Sequence, residues 1–352
     1  MNALPNQDCP CRVQELELTA AECADALAIA VDAEDEHGDC NTPDFLDQLA
    51  EYAQHLPASL IEFLQGVRQD DRTVAAVIRG GWHPELDQLR TPMDWRHGRE
   101  TRAGNVQNFL LVLYGSLLGE VFSWHGQQEG SLVHDLVPTY ADRNEQLGSG
   151  SQTALLWHTE DAFHPCRADF VLLYSVRAKK DAKSTLSWLH QGALDSETVA
   201  TLMVDKYEFK PDTSYSDHDT FTNEPVALLY GSSAAPYLRA DSVYYKPPSG
   251  EREREALAKL YGALDAALIE IEIPSGDLLV LNNRRVVHGR TEFHANYDGN
   301  DRWVKRVNIS DSLRRSRAYR CCAASRIVHL APQRGHPSGA DSCDRRRVYD
   351  VG

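Results

Sequence analysis

The chain has 352 residues, 42% of them hydrophobic, and a formal net charge of −16. That length supports one large core or two small ones. The negative charge argues against nucleic acid and anionic membrane as partners. No apolar run reaches the roughly 20 residues of a membrane span, and the opening Met1-Asn2-Ala3-Leu4-Pro5 lacks a basic-then-apolar leader, so the sequence reads as cytoplasmic. Cys9, Cys11, Cys23, Cys40, Cys166, Cys321, Cys322 and Cys343 form no Cys-x-x-Cys pair and read as reduced thiols.

The first third predicts helices. Thr19-Ala20-Ala21-Glu22 is a capping-box signature before an Ala/Leu/Ile-rich segment. Thr42-Pro43 starts a second helix, with Phe45, Leu46, Leu49, Tyr52, Ala53 and Leu56 at helical spacing. Leu60, Ile61 and Leu64 mark a third. Thr73 to Ile78 reads as a strand closed by Gly80-Gly81. The apolar stretch from Val106 to Trp124 reads as one helix packed on a sheet.

From Ser131 the pattern becomes short β-type runs: Leu132–Val137, Ala154–Thr159, Asp169–Val176, Val226–Tyr230, Leu278–Asn282 and Trp303–Ile309. Two helical interruptions are expected at Glu197–Lys206 and Arg252–Glu270. The polar, aperiodic stretch from Asp212 to Glu224 suits a lid or a surface loop equally. The tail after Arg317 reads as irregular. The chain is thus mainly β with helical decoration, a barrel or sandwich core.

Chemistry concentrates in two blocks. At this composition chance alone gives roughly 2 His-x-Asp/Glu triplets, and the chain has three: His37-Gly38-Asp39, His83-Pro84-Glu85 and His158-Thr159-Glu160. The first sits at an acidic helix end, and the second carries a proline that disturbs a strand. Only the third lies between a turn-like region and an apolar run, where strand alternation sets His158 and Glu160 on one face. A half-buried strand with a polar face explains the same pattern. His288, in Asn282-Asn283-Arg284-Arg285-Val286-Val287-His288-Gly289-Arg290, would complete a two-histidine, one-carboxylate set suited to non-haem Fe(II). Arg302 follows as a cation for an acidic co-substrate.

His158-Thr159-Glu160-Asp161-Ala162-Phe163-His164-Pro165 with Arg167-Ala168-Asp169-Phe170, Asn283 through Arg290, and Tyr297 through Arg306 resemble the clavaminate synthase-like Fe(II)/2-oxoglutarate dioxygenases. Within that family the resemblance is to free amino-acid β-hydroxylases, such as the arginine hydroxylase of viomycin biosynthesis. It spans the chain to about Val328 and implies a double-stranded β-helix (jelly-roll) core flanked by helices. One dioxygenase domain would cover 1–352: a mainly helical part over 1–130, the core with helical insertions over 131–317, and the tail over 318–352.

The resemblance implies Fe(II) on His158, Glu160 and His288, with 2-oxoglutarate and O2 as co-substrates. It assigns Arg302 to the far carboxylate of 2-oxoglutarate and Thr185 to a further hydroxyl contact. Arg306 would hold the substrate α-carboxylate, Gln127 and Ser149 the amino-acid head, and Asp212 and Asp241 a cationic side chain. One departure stands out: Val243 occupies a position where the arginine hydroxylase has a second aspartate. That favours a cyclised guanidino amino acid, of the capreomycidine or enduracididine type, beside arginine itself.

The expected reaction is hydroxylation of a free L-amino acid at C3, in antibiotic biosynthesis. Hydroxylation or desaturation of another amino acid, such as asparagine or lysine, shares these features. A non-catalytic jelly-roll binding protein would not need the intact triad with Arg302. Two histidines and a glutamate also suit a zinc hydrolase, but hydrolysis leaves Arg302 and Arg306 unexplained.

Overall fold

The computed structural model describes residues 11–333. A strand β1 (Arg12–Glu17) leads into three helices, α1 (Ala20–His37), α2 (Pro43–Ala53) and α3 (Ala58–Gln69). The capping box forms as the sequence predicts: the Thr19 hydroxyl oxygen accepts from the Glu22 N–H, and Glu22 accepts from the Thr19 N–H. Thr42 caps α2 ahead of Pro43. Next come β2 (Thr73–Arg79), α4 (Pro84–Gln88), α5 (Trp95–Glu100), α6 (Asn105–Leu118) and β3 (Glu120–Trp124).

The remainder holds β4 (Val133–Leu136), β5 (Leu155–His158), β6 (Phe170–Arg177), β7 (Ser184–Trp188) and α7 (Ser196–Leu202). These are followed by β8 (Glu208–Phe209), β9 (Leu229–Ser232), β10 (Ala235–Leu238), β11 (Tyr245–Lys246) and α8 (Glu251–Ala266). β12 (Ile269–Ile271), β13 (Leu278–Asn282), β14 (Val286–Arg290), β15 (Trp303–Ser310) and β16 (Ile327–Val328) close the described chain.

The large sheet runs β1-β2-β13-β6-β15-β3-β16, with β4 also paired to β15. A smaller sheet, β12-β7-β14-β5, faces it. Two apolar cores result. On β13, Leu278 and Val280 join the core under the helices, while Leu279 and Leu281 join the core between the sheets. On β6, Phe170, Leu172 and Tyr174 face the helices, and Val171 and Leu173 face the other sheet. Period-two alternation between two dry layers explains why these strands read as continuous apolar runs. The expected mainly-β core with helical decoration is the observed architecture.

Several local expectations change. The stretch Val106–Trp124 is a helix and then a strand, not one helix. At Gly119 the backbone passes so close to β15 that a Cβ would lie 2.4 Å from the Ser310 carbonyl oxygen. The chain therefore leaves α6 and pairs as β3 with β15. The expected strand Val226–Tyr230 is shifted to Leu229–Ser232, because Val226 makes only an isolated bridge to Tyr207. The expected helix Arg252–Glu270 ends at Ala266, and Ile269–Ile271 pairs with β7. The tail is not wholly irregular: β16 runs parallel to β3. β1, β7 and β14 were not anticipated. Cys11, Cys23, Cys40, Cys166, Cys321 and Cys322 are free thiols, while Cys9 and Cys343 lie outside the described residues. No helix among the described residues is long and apolar enough to cross a membrane.

Leu113 of α6 is fully buried in the core beneath the helices. Leu113→Ala should lower unfolding stability by about 2–5 kcal/mol, read as a lower urea midpoint at unchanged slope; a midpoint that stays put would remove α6 from the cooperative core.

Candidate active site

The antiparallel pairing of β14 with β5 sets His288 directly opposite His158. Residues opposite each other in such a ladder point to the same face, and the two imidazole centroids lie 4.6 Å apart. Gly289 makes this approach possible. A Cβ there would sit 2.3 Å from the Leu155 carbonyl oxygen and 2.9 Å from the Thr185 hydroxyl oxygen. Glu160 follows His158 by two residues, just past the end of β5. Its backbone is gripped by Asn283, whose amide oxygen accepts from the Glu160 N–H at 2.8 Å and whose amide nitrogen donates to the Glu160 carbonyl at 3.0 Å. Asp161 then takes a left-handed backbone, φ 55°, which turns the chain sharply after the glutamate.

The Glu160 carboxylate lies 3.3 Å from His288 Nε2 and 3.9 Å from His158 Nε2. One donor atom from each residue falls within 4.8 Å of the others. His158 Nδ1 lies 3.0 Å from the Leu156 carbonyl, so the Nδ1–H donates there and Nε2 presents a lone pair. This donor set and tautomer fit a divalent first-row ion such as Fe(II). By contrast, the His37 imidazole packs on the Phe45 and Tyr52 rings, away from this cluster.

Burial alone would raise the Glu160 carboxyl, but Arg306 and the two imidazoles outweigh it and hold the group well below the usual carboxylate range. Arg306, on β15, donates to Glu160, to Gln127 Oε1 at 3.0 Å and to His134 Nδ1 at 2.9 Å. Burial, reinforced by the charge of Arg306, pushes His134 down to about 3, so it is a neutral acceptor. Gln127 Nε2 in turn donates to the Ser214 hydroxyl at 2.8 Å. Asp161 accepts from Trp124 Nε1 at 2.6 Å and from the Tyr215 hydroxyl. The polar stretch after Asp212 is thereby fastened to the site through Ser214 and Tyr215, and Tyr215 is fully buried.

A cavity of about 1030 Å³ opens in front of this cluster. Nine of the ten residues singled out from the sequence line it: His158, Glu160, His288, Arg302, Arg306, Gln127, Ser149, Asp212 and Asp241. Thr185 does not; its neighbour Ser184 does. The register explains this, since Ser184 pairs with Arg290 and shares its face, whereas Thr185 pairs with Gly289. Arg302 has no hydrogen-bond or ion-pair partner among the described residues. Burial and the like charge of Arg290 push its guanidinium down to about 9.

At the other side, Asp241 accepts from the Val243 and Tyr244 N–H groups, each at 2.7 Å, and Asp212 from the Ser214 N–H at 2.7 Å. Burial raises both carboxyls. No lysine or arginine among the described residues pairs with either. The Ser149 hydroxyl donates to Asp142 at 2.7 Å. Val243 lines the cavity as an apolar wall.

Residues 203–308 match the family described as taurine catabolism dioxygenase TauD, TfdA family. An enduracididine beta-hydroxylase of Streptomyces hygroscopicus is 32% identical over 86% of this chain and 96% of its own length. The chain belongs to the clavaminate synthase-like Fe(II)/2-oxoglutarate dioxygenases. An L-ornithine/L-arginine 3-hydroxylase of Catenulispora acidiphila is 33% identical over 90% of this dioxygenase and 100% of its own length. The non-heme iron oxygenase OrfP, solved with Fe and alpha-ketoglutaric acid, superposes with a TM-score of 0.84 at 36% identity, covering 89% of this chain and 99% of that one.

Several residues that shape the dioxygenase site escaped the sequence reading. Asn283 and Arg290 lie inside the block around His288, and their spacing to it was the available signal. His134 is a lone imidazole in the run Leu132–Val137, a weak signal. Tyr215 lies in the aperiodic stretch, where nothing marks it. Gly289→Ala should push β5 off β14 and separate the imidazoles. The expected outcome is Fe(II) or Mn(II) affinity weakened at least about tenfold, measured by anaerobic calorimetric titration; unchanged affinity would show that the close approach is dispensable.

Proposed function

We propose that this dioxygenase hydroxylates C3 of a free L-amino acid with a guanidino or similarly basic side chain. The observation that carries the reading is the layout of charge along one cavity. A three-donor metal cluster shares its cavity with an unpaired guanidinium, Arg302, and with two carboxyls that no lysine or arginine among the described residues pairs with, Asp212 and Asp241. An acidic co-substrate answers the first and a cationic substrate the second. OrfP, which has been solved with L-Arg and with L-canavanine, offers a parallel.

In this reading His158, Glu160 and His288 hold Fe(II), leaving positions for the co-substrates. Bound iron with O2 and 2-oxoglutarate supplies the oxidising power, yielding succinate and CO2 while one oxygen atom enters the substrate C–H bond. The chain's own side chains position and enclose. Arg302 pairs with the distal carboxylate of 2-oxoglutarate. Arg306 turns its fork to the substrate α-carboxylate, with the neutral His134 and Gln127 fixing the plane of that fork. Gln127 and Ser149 sit at the amino-acid head. Asp212 and Asp241 take the cationic end, and Val243 supplies an apolar wall suited to a cyclised guanidino ring. Thr185 stands behind Gly289, so a co-substrate contact on β7 falls to Ser184. The Tyr215 and Phe163 rings help exclude water from the reacting carbon.

Succinate release should be highest with arginine-type and cyclic guanidino amino acids, and the product should gain one oxygen atom by mass. No succinate with any basic amino acid would sink the substrate assignment, and loss of two hydrogens would identify a desaturase. Asp241→Asn should raise KM for the amino acid roughly tenfold to a hundredfold with KM for 2-oxoglutarate unchanged. Anaerobic Fe(II) with 2-oxoglutarate should give the weak visible absorbance of a chelated 2-oxo acid. His158→Ala should abolish it, and its persistence would exclude His158 as a ligand.

A further inference from the structure

Arg290 is 2% exposed, lines the same cavity and sits two residues beyond His288 on β14, on the same face. Its Nη1 donates to the Thr291 carbonyl at 2.7 Å and its Nη2 to the Gly150 carbonyl at 3.0 Å. Its Nε is buried with no partner. The guanidinium stacks on Phe293, 4.7 Å from the ring centroid. No carboxylate among the described residues pairs with it, nor with Arg302. Two guanidiniums therefore line one cavity, Arg290 offset only by two carbonyl dipoles and Arg302 by no hydrogen-bond partner among the described residues. Like charges placed together out of water are costly unless an anion joins them.

Two residues along a strand span roughly 7 Å. That is close to the length of a five-carbon diacid whose other end lies at His288. We propose that the distal carboxylate of the co-substrate is held between two guanidiniums, Arg302 and Arg290, and that Arg290 is a second co-substrate-binding residue. The inference rests on the reading of Arg302 given above. It goes beyond that reading by giving the clamp two jaws, one on each sheet: Arg302 stands at the foot of β15 in the large sheet and Arg290 on β14 in the small one. The carboxylate then bridges the two sheets. Ser184, opposite Arg290 on β7, lies beside the clamp as a neutral hydroxyl.

The test is anaerobic calorimetric titration of 2-oxoglutarate into the full-length Fe(II) protein. Arg302→Gln should weaken binding about a hundredfold, and Arg290→Gln about tenfold or more, while KM for the amino acid stays at the wild-type value. Arg290→Lys keeps a cation and should stay within a few-fold of wild type. Wild-type affinity in Arg290→Gln overturns the clamp while leaving Arg302 in place. Unchanged affinity in both glutamine variants overturns the co-substrate placement as well. An equal loss in Arg290→Lys and Arg290→Gln also overturns the clamp, because the residue would then act only through the Gly150 and Thr291 carbonyls. A second readout needs no glutamine variant to fold. Glutarate added to the metal-free wild type should shift the Arg290 Nε–H resonance, identified by its absence from the Arg290→Lys spectrum. A shift confined to Arg302 counts against the proposal.

Discussion

The site depends on one cross-strand register. His288 faces His158 because β14 and β5 pair with those residues opposite each other. A slip of one residue would turn the His288 side chain to the far side of the sheet. Two features hold the pairing. Gly289 lets the strands approach to a distance that no side chain tolerates, and β7 pairs with the other edge of β14 over all five residues. Asn283 extends the same control past the strand end. It sits fully buried just before β14 and fixes both backbone polar groups of Glu160, with a third bond to the Ala168 carbonyl. One short stretch, Asn283 to Arg290, thus supplies a donor atom, positions the carboxylate and lines the cavity.

Around that centre, Arg302 and Arg290 form no ion pair among the described residues, and Asp212 and Asp241 pair with no lysine or arginine among them, although all four line one cavity. A fold selected only for stability would pair or remove such groups, since each buried unpaired charge costs several kcal/mol. The strain is visible in the directions of titration: Arg302 is pushed down, and Asp212 and Asp241 are pushed up. Glu160 is the exception, held ionised by Arg306 and the imidazoles. It is the one carboxyl of the three that must be an anion to serve a metal. The cavity is therefore complementary to two ligands of opposite character, and binding either relieves a charge the protein alone leaves uncompensated.

Much of this was legible in the residues, for stated reasons. The capping box of α1 and the apolar runs of β6, β13 and β15 follow from local rules, and the triad and Arg302 stood out through the family resemblance. What was hidden depends on long-range approach. β7 reads Ser-Thr-Leu-Ser-Trp and β14 carries Arg, His and Gly, so neither shows an apolar alternation; both become strands because they are clasped between neighbours. The break between α6 and β3 is set by the nearness of Ser310, nearly two hundred residues later. Thr185 was singled out by the family resemblance; the register pairs it with Gly289, and its neighbour Ser184 lines the cavity. Tyr215 is anchored by Asp161, a contact no local pattern announces.

The position of Arg306 shows how these levels join. Its guanidinium has five donor N–H groups, and three acceptors engage it from different elements: Glu160 after β5, His134 on β4 and Gln127 after β3. His134 can accept only because burial beside that same cation keeps it neutral. Because Arg306 can only donate to Nδ1, the hydrogen sits on Nε2, which lies 3.1 Å from the Ser123 hydroxyl. Gln127 passes the connection on to Ser214 and so to the stretch that carries Asp212. The plane of the Arg306 fork is thereby set, and the same guanidinium links Glu160 to the segment that carries Asp212.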